Sequence, residues 1–166
     1  MNLPRFPLGE PLLKLRPGGH KNPFIVQRDF VYCWPGFGKW PAMDVCTSKD
    51  YETDLLSIPQ PLWPILSPFG AGAYGAMPHD PLYGSEYSLP GQSKRDARAM
   101  HDRILYDAAV DGGASPARAW VLYRGVRLGG WVSWRSHNPQ EVSDGLQMLL
   151  EATERWQGLD KSLVPG

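Results

Sequence analysis

The chain is poor in thiols. Cys33 and Cys46 are its only cysteines among 166 residues, and no CxxC pair occurs. A disulfide framework is therefore excluded, and a reducing compartment is the simpler reading, with both thiols as small buried hydrophobes. Long apolar runs are also missing. No stretch approaches the roughly 18 residues of a membrane-spanning helix. The opening segment, MNLPRFPLGEPLLKLRPGG, is too broken by proline to form the apolar core of a signal peptide. Charge of either sign is not in surplus, because 17 Lys and Arg balance 17 Asp and Glu. A non-specific nucleic-acid binder needs a basic footprint, so nucleic acid is not an expected partner.

Proline and glycine are abundant, at 17 and 18 residues, and they are scattered rather than repeated. Seven Trp and seven Tyr accompany them. This composition points to a loop-rich fold with aromatic packing. A hydrophobic share of 42% suits one domain with a real core. Residues 1–23 carry no period and read as an extended Pro/Gly-rich arm, free to contact a neighbour. Residues 24–166 read as the single domain.

FIVQRDFVYCW (24–34) is β-branched and aromatic, and it reads as a strand. PGFGKWPA follows as a turn, and MDVCTS (43–48) returns as a second strand, giving a hairpin. Residues 50–76 form a proline-broken connection, in which Asp54 or Ser57 caps a short helix with Pro59 early in it. SKRDARAMHDRILYDAAVDGG (93–113) is a helix with Ser93 as N-cap and Asp96 three residues on. SPARAWVLYRGVRLGGW begins a second helix, expected to run to Gly129. A third, 139–158, carries the stripe Val142, Leu146, Leu149, Leu150 and Trp156. The expected fold class is α+β, a short N-terminal hairpin followed by a mainly helical body.

The stretch AMPHDPLYGSEYS (76–88) holds the main chemical candidate. Pro78 and Pro81 fit the first turn of a helix, so a start near Pro78 is expected. One reading makes Asp80 a helix-start acid with His79 as bystander. The other makes His79 a general base kept neutral by the helix dipole, with Asp80 free to take a cation. A second pair, His101–Asp102, lies 23 residues on. His101 falls on the presumed core face, and Asp102 lies at its edge, either orienting His79 or facing solvent. His20 and His137 read as ordinary loop residues. Asp54 and Ser57 either bind substrate or cap a helix; Ser57 lacks the G-x-S-x-G setting of a nucleophile. Arg124 and Arg127, three apart, form either a phosphate- or carboxylate-binding face or a solvated one. Trp131 and Trp134 read as packing residues.

Four segments in order, ETDLLSIPQPLWPILSPFG, HDPLYG, HDRILYDAAVDGG and ARAWVLYRGVRLGGW, resemble the phage-encoded family known as domain of unknown function 1353. The resemblance spans about residues 24–134. It implies a phage or prophage origin and supplies no activity. HD-x-x-Y followed by a helical Asp is also similar to the core of phospholipase A2 enzymes. That likeness implies His79 as the base, Asp80 as a calcium ligand, Tyr83 in support and Asp102 orienting His79. Gly70, Gly72 and Gly75 would lend loop carbonyls to the calcium. The prolines and the missing disulfides depart from that pattern. His101 stands where the phage family has Ala, which opens an alternative zinc or manganese set of His79, Asp80, His101 and Asp102.

The expectation is a phage-encoded, metal-assisted hydrolase using the His-Asp pair, acting on a lipid or cell-envelope substrate. Against it stands a non-catalytic virion or tail component, or a host-interaction protein, partnered with other phage structural proteins. Either would work in the host cytoplasm during infection or inside the particle.

Overall fold

The β-branched and aromatic residues of the N-terminal third form two small antiparallel sheets. The computed structural model describes residues 4–19, 22–55, 70–136 and 138–164, with the backbone alone for 130–136 and 163. Strands β1 (Leu13–Leu15), β2 (Phe24–Val26) and β5 (Glu52–Thr53) make one sheet in the order β1-β2-β5. Strands β3 (Phe30–Trp34) and β4 (Met43–Thr47) form the expected hairpin, in register from Phe30↔Thr47 to Trp34↔Met43. Gly36, at φ +81, turns the hairpin tip where a Cβ would lie 2.6 Å from the Trp40 carbonyl.

The single strand expected over 24–34 is two strands in different sheets. The break falls at polar Gln27, Arg28 and Asp29. Asp29 leaves the ladder to accept the Lys49 amide at 2.7 Å and the Arg155 guanidinium at 2.8 and 3.0 Å. The segment read as an arm is built into the domain. Lys14 pairs with Ile25, and the Phe6 ring packs 5.3 Å from Tyr32 and 4.6 Å from Tyr74. Aromatic burial of that size holds a short segment that has little regular hydrogen bonding.

Four helices follow among the described residues: α1 (Ala71–Gly84), α2 (Lys94–Asp111), α3 (Pro116–Ser136) and α4 (Pro139–Gly158). The chain is thus α+β, strands first and helices after. Ser93 caps α2 by accepting the Asp96 amide, and Asn138 caps α4 by accepting the Glu141 amide, with Pro139 in its first turn. Helix α3 runs past Gly129 to Ser136, longer than expected.

The larger departure is α1. It starts at Ala71 and carries Pro78 and Pro81 inside it, not in its first turn. An internal proline strips the helix of one amide donor. Pro81 deprives the Met77 carbonyl, and the Thr47 hydroxyl of β4 donates to that oxygen at 2.5 Å instead. The N-terminal half of α1 is small-residued for close packing. At Gly75 a Cβ would lie 2.9 Å from the Leu105 carbonyl of α2. Helix α1 therefore lies against α2, with β3 and β4 over the shared core of Val26, Phe30, Tyr32, Trp34, Met77 and Ile104. Among the described residues no helix is long and apolar enough to cross a membrane.

Candidate active site

The close approach of α1 and α2 brings the two His-Asp pairs together. His79 Nε2 lies 3.2 Å from Asp102 Oδ1, and His79 Nδ1 lies 3.2 Å from Asp80 Oδ1. Arg127 of α3 donates to Asp102 Oδ2 at 2.9 Å, and Arg98 Nε stands 4.0 Å from the same oxygen, one helical turn before it. The Arg98 guanidinium also donates to the Arg127 carbonyl at 2.6 Å, which ties α2 to α3 at this point. Tyr83, four residues beyond His79 on α1, stacks on the imidazole with ring centroids 4.9 Å apart. Exposure falls along the chain of groups, from 14% for the Asp80 side chain to 6% for His79 and 0% for Asp102.

Burial alone would push the His79 pKa down. Hydrogen bonds and charge from Asp102 and Asp80 outweigh that and raise it to about 9. The two carboxylates thus favour the imidazolium, where the expectation had a helix dipole favouring the neutral ring. The place of His79 in the second half of α1 removes the N-terminal dipole that the expectation relied on. Burial likewise works against an ionised Asp102, yet His79 and Arg127 hold its carboxyl below the usual carboxylate range. Tyr83 is pushed up to about 12, chiefly by burial, and stays a neutral phenol.

His101 does not join the cluster as a metal ligand in this arrangement. It is fully buried, and its ring meets Tyr83 edge-on at 6.4 Å. Burial and the charge of His79 press its pKa down to about 3, so it is neutral. Among the described residues, no group of three or more His, Cys, Asp or Glu side chains is set to hold a metal ion. Gly72 and Gly75 are helical, and the Gly70 carbonyl accepts the Ala73 amide, so these glycines do not form the carbonyl loop that the phospholipase likeness implied.

Of the expected substrate-binding residues, Arg127 reaches the cluster, and it grips the protein's own Asp102. Arg124 lies over Trp120, 5.6 Å from the ring centroid, on the outer face of α3. Asp54 directly follows β5, and its neighbour Thr53 donates its hydroxyl to Asp80 Oδ2. Ser57 lies outside the described residues, as do His20 and His137. Sequence reasoning missed Thr53 and Arg98. The signals available were a Thr directly before Asp at a strand end, and an Arg four residues before a helical Asp.

An Asp–His–Asp–Arg chain this deep is poorly explained as a stability device, since apolar residues of like volume serve a core equally well. Perturbed titratable groups held by specific partners mark candidate sites. The class defined here is an α+β domain with a buried acid–histidine–acid cluster where α1 crosses α2. The chain belongs to the family described as Protein of unknown function (DUF1353), whose model matches residues 25–126. The matched span contains Thr53, His79, Asp80 and Asp102, and it stops one residue before Arg127. No curated protein and no solved structure matches the chain. These comparisons give the phospholipase A2 likeness no support.

Proposed function

We propose that this protein is a hydrolase whose base is His79, oriented through Nε2 by Asp102 and released at Nδ1 when Asp80 is drawn away. The supporting observation is the asymmetry of the two carboxylates. Asp102 is fully buried and held by His79 and Arg127, whereas Asp80 is the more exposed partner. With Asp80 displaced, one carboxylate less raises the imidazole pKa, and Nδ1 gains a lone pair. Nδ1 then takes a proton from water as the hydroxide oxygen bonds to an ester carbonyl carbon. The same proton passes to the departing alkoxide as the acyl–oxygen bond breaks.

A calcium ion at Asp80 is one way to draw that carboxylate off, and it would polarise the ester carbonyl. The phage setting and the lipid or cell-envelope substrate belong to this proposal through the family and motif resemblance. The test combines melting and turnover. After chelation, calcium, magnesium, manganese and zinc are added to wild type and Asp80→Asn, and ester and phospholipid hydrolysis is followed. A folded-state ligand raises the melting midpoint. Hydrolysis lost in a folded His79→Ala protein supports the reading. Hydrolysis that survives in His79→Ala ends it, as does no turnover of any ester with or without metal.

A second reading has its own observation. Trp120, Val121 and Leu128 of α3 are exposed at 56%, 40% and 68%. Such side chains suit a non-catalytic virion or host-contact protein. Its mark would be wild-type phage growth with His79→Ala and loss of particle incorporation with Trp120→Ser.

A further inference from the structure

The Asp80 carboxylate is held from both sides. Oδ1 faces His79 Nδ1, and Oδ2 receives the Thr53 hydroxyl. That hydroxyl is itself oriented, because its oxygen accepts the Leu55 amide at 2.9 Å. A hydroxyl has one proton, so an oxygen occupied by Leu55 N–H aims that proton at Asp80. The turn that makes this possible is strained, with Leu55 at φ +54. Burial keeps it there, since Leu55 is fully enclosed and packs with Phe24 of β2 and Ala76 of α1. Thr53 is itself paired with Phe24 in the sheet and is 4% exposed. The turn is thus pinned to the same helix that carries Asp80.

We propose that Thr53 is a positioning residue that latches Asp80 onto His79, so that the strained β5 turn regulates whether Nδ1 is free. The inference rests on reading the His79 cluster as a working site. The turn has one tense backbone position and one directional donor, so a shift of the turn releases the carboxylate without disturbing Asp102 or Arg127. Thr53→Val keeps the β-branched shape and removes the donor to Asp80, together with the acceptor for the Leu55 amide. Thr53→Ser keeps the donor and should behave as wild type.

The readout is the imidazole of His79 by nitrogen-15 NMR at fixed neutral pH, on the full chain. In wild type the Nδ1–H proton should exchange slowly with water. In Thr53→Val its exchange should rise about tenfold or more, the factor expected for loss of one charge-assisted hydrogen bond. The Nε2–H proton, held by Asp102, should change little. Unchanged Nδ1–H exchange in a folded Thr53→Val protein would overturn the proposal. So would Thr53→Ser behaving like Thr53→Val. If Thr53→Val does not fold, the wild-type spectrum decides, because a latched Thr53 hydroxyl proton must be protected from exchange and an unlatched one is not. A protein that shows these NMR changes but hydrolyses nothing keeps the latch and loses the hydrolase reading.

Discussion

Thr47 donates its hydroxyl to the carbonyl of Met77, the oxygen that Pro81 leaves without a helical donor. Strand β4 thereby repairs helix α1 at the turn that carries His79 and Asp80. Losing the hydroxyl strands a buried carbonyl, which costs about 1–3 kcal/mol. Thr47→Val should therefore lower the melting temperature by roughly 2–12 °C. Pro81→Ala returns an amide to the ladder, so in the Thr47→Val background it should recover much of that loss. Calorimetry of the two single variants, the double variant and wild type gives the coupling. Strict additivity would disprove the repair.

The pH dependence of stability follows from two histidines shifted in opposite directions. His79 is raised from 6.5 to about 9, so its contribution is full below about 6.5 and fades as pH climbs through 9. His101 is lowered from 6.5 to about 3, so its contribution is full above about 6.5 and fades as pH falls through 3. Asp102, lowered from 3.8, adds to the acid loss only below that value. Stability should peak near pH 6.5 and fall on both sides. Melting temperature against pH should show the alkaline limb flatten in His79→Gln and the acid limb flatten in His101→Gln. A profile still rising from pH 6.5 to 9 in wild type would contradict the doubly paired His79.

Much of this was legible in local sequence. The cap at Ser93 and the hairpin needed only neighbours within a few residues. The meeting of His79 with Asp102 was readable because the helical period set Asp102 at the edge of the core face of α2. The course of α1 was not, because Pro81 is tolerated through Thr47, 34 residues before it, and no local rule reports that. The direction of the His79 shift was not readable for a related reason. Its charge is favoured by Asp102 on a neighbouring helix and by Asp80 beside it, and not governed by its own helix end. Arg127 was a candidate, yet sequence could not say that its carboxylate was the protein's own.

Arg127 and Arg124 differ sharply in consequence. Arg127 supports a fully buried carboxylate, and Asp102 keeps His79 and Arg98 when that support is lost. Arg127→Ala should destabilise by about 1–3 kcal/mol, short of the full cost of an abandoned buried charge. Arg124→Ala, on the outer face beside Trp120, should stay within about 0.5 kcal/mol of wild type. Urea denaturation of both variants decides the matter. Equal effects would mean that Arg127 is not gripping Asp102.

Glycine-to-alanine substitutions should differ in their effect on stability on two helices. At Gly75 a new methyl meets the Leu105 carbonyl at 2.9 Å and Ala109 Cβ at 3.2 Å, and neither can swing aside. Overpacking of this kind costs about 1–3 kcal/mol, against about 1 kcal/mol that alanine returns in helix propensity. At Gly125 in α3 nothing lies within 4 Å, so only the gain remains. Gly125→Ala should therefore stabilise by roughly 0.5–1 kcal/mol. Gly75→Ala should be neutral to destabilising. Gly75 lies one turn before His79 on α1, and Leu105 lies one turn after Asp102 on α2. Prising the helices apart there should stretch the His79–Asp102 contact and shrink the alkaline limb of the pH profile, a change that Gly125→Ala should not produce. A Gly75→Ala protein with raised stability and an intact alkaline limb would show that close helix contact is not what holds the two His-Asp pairs together.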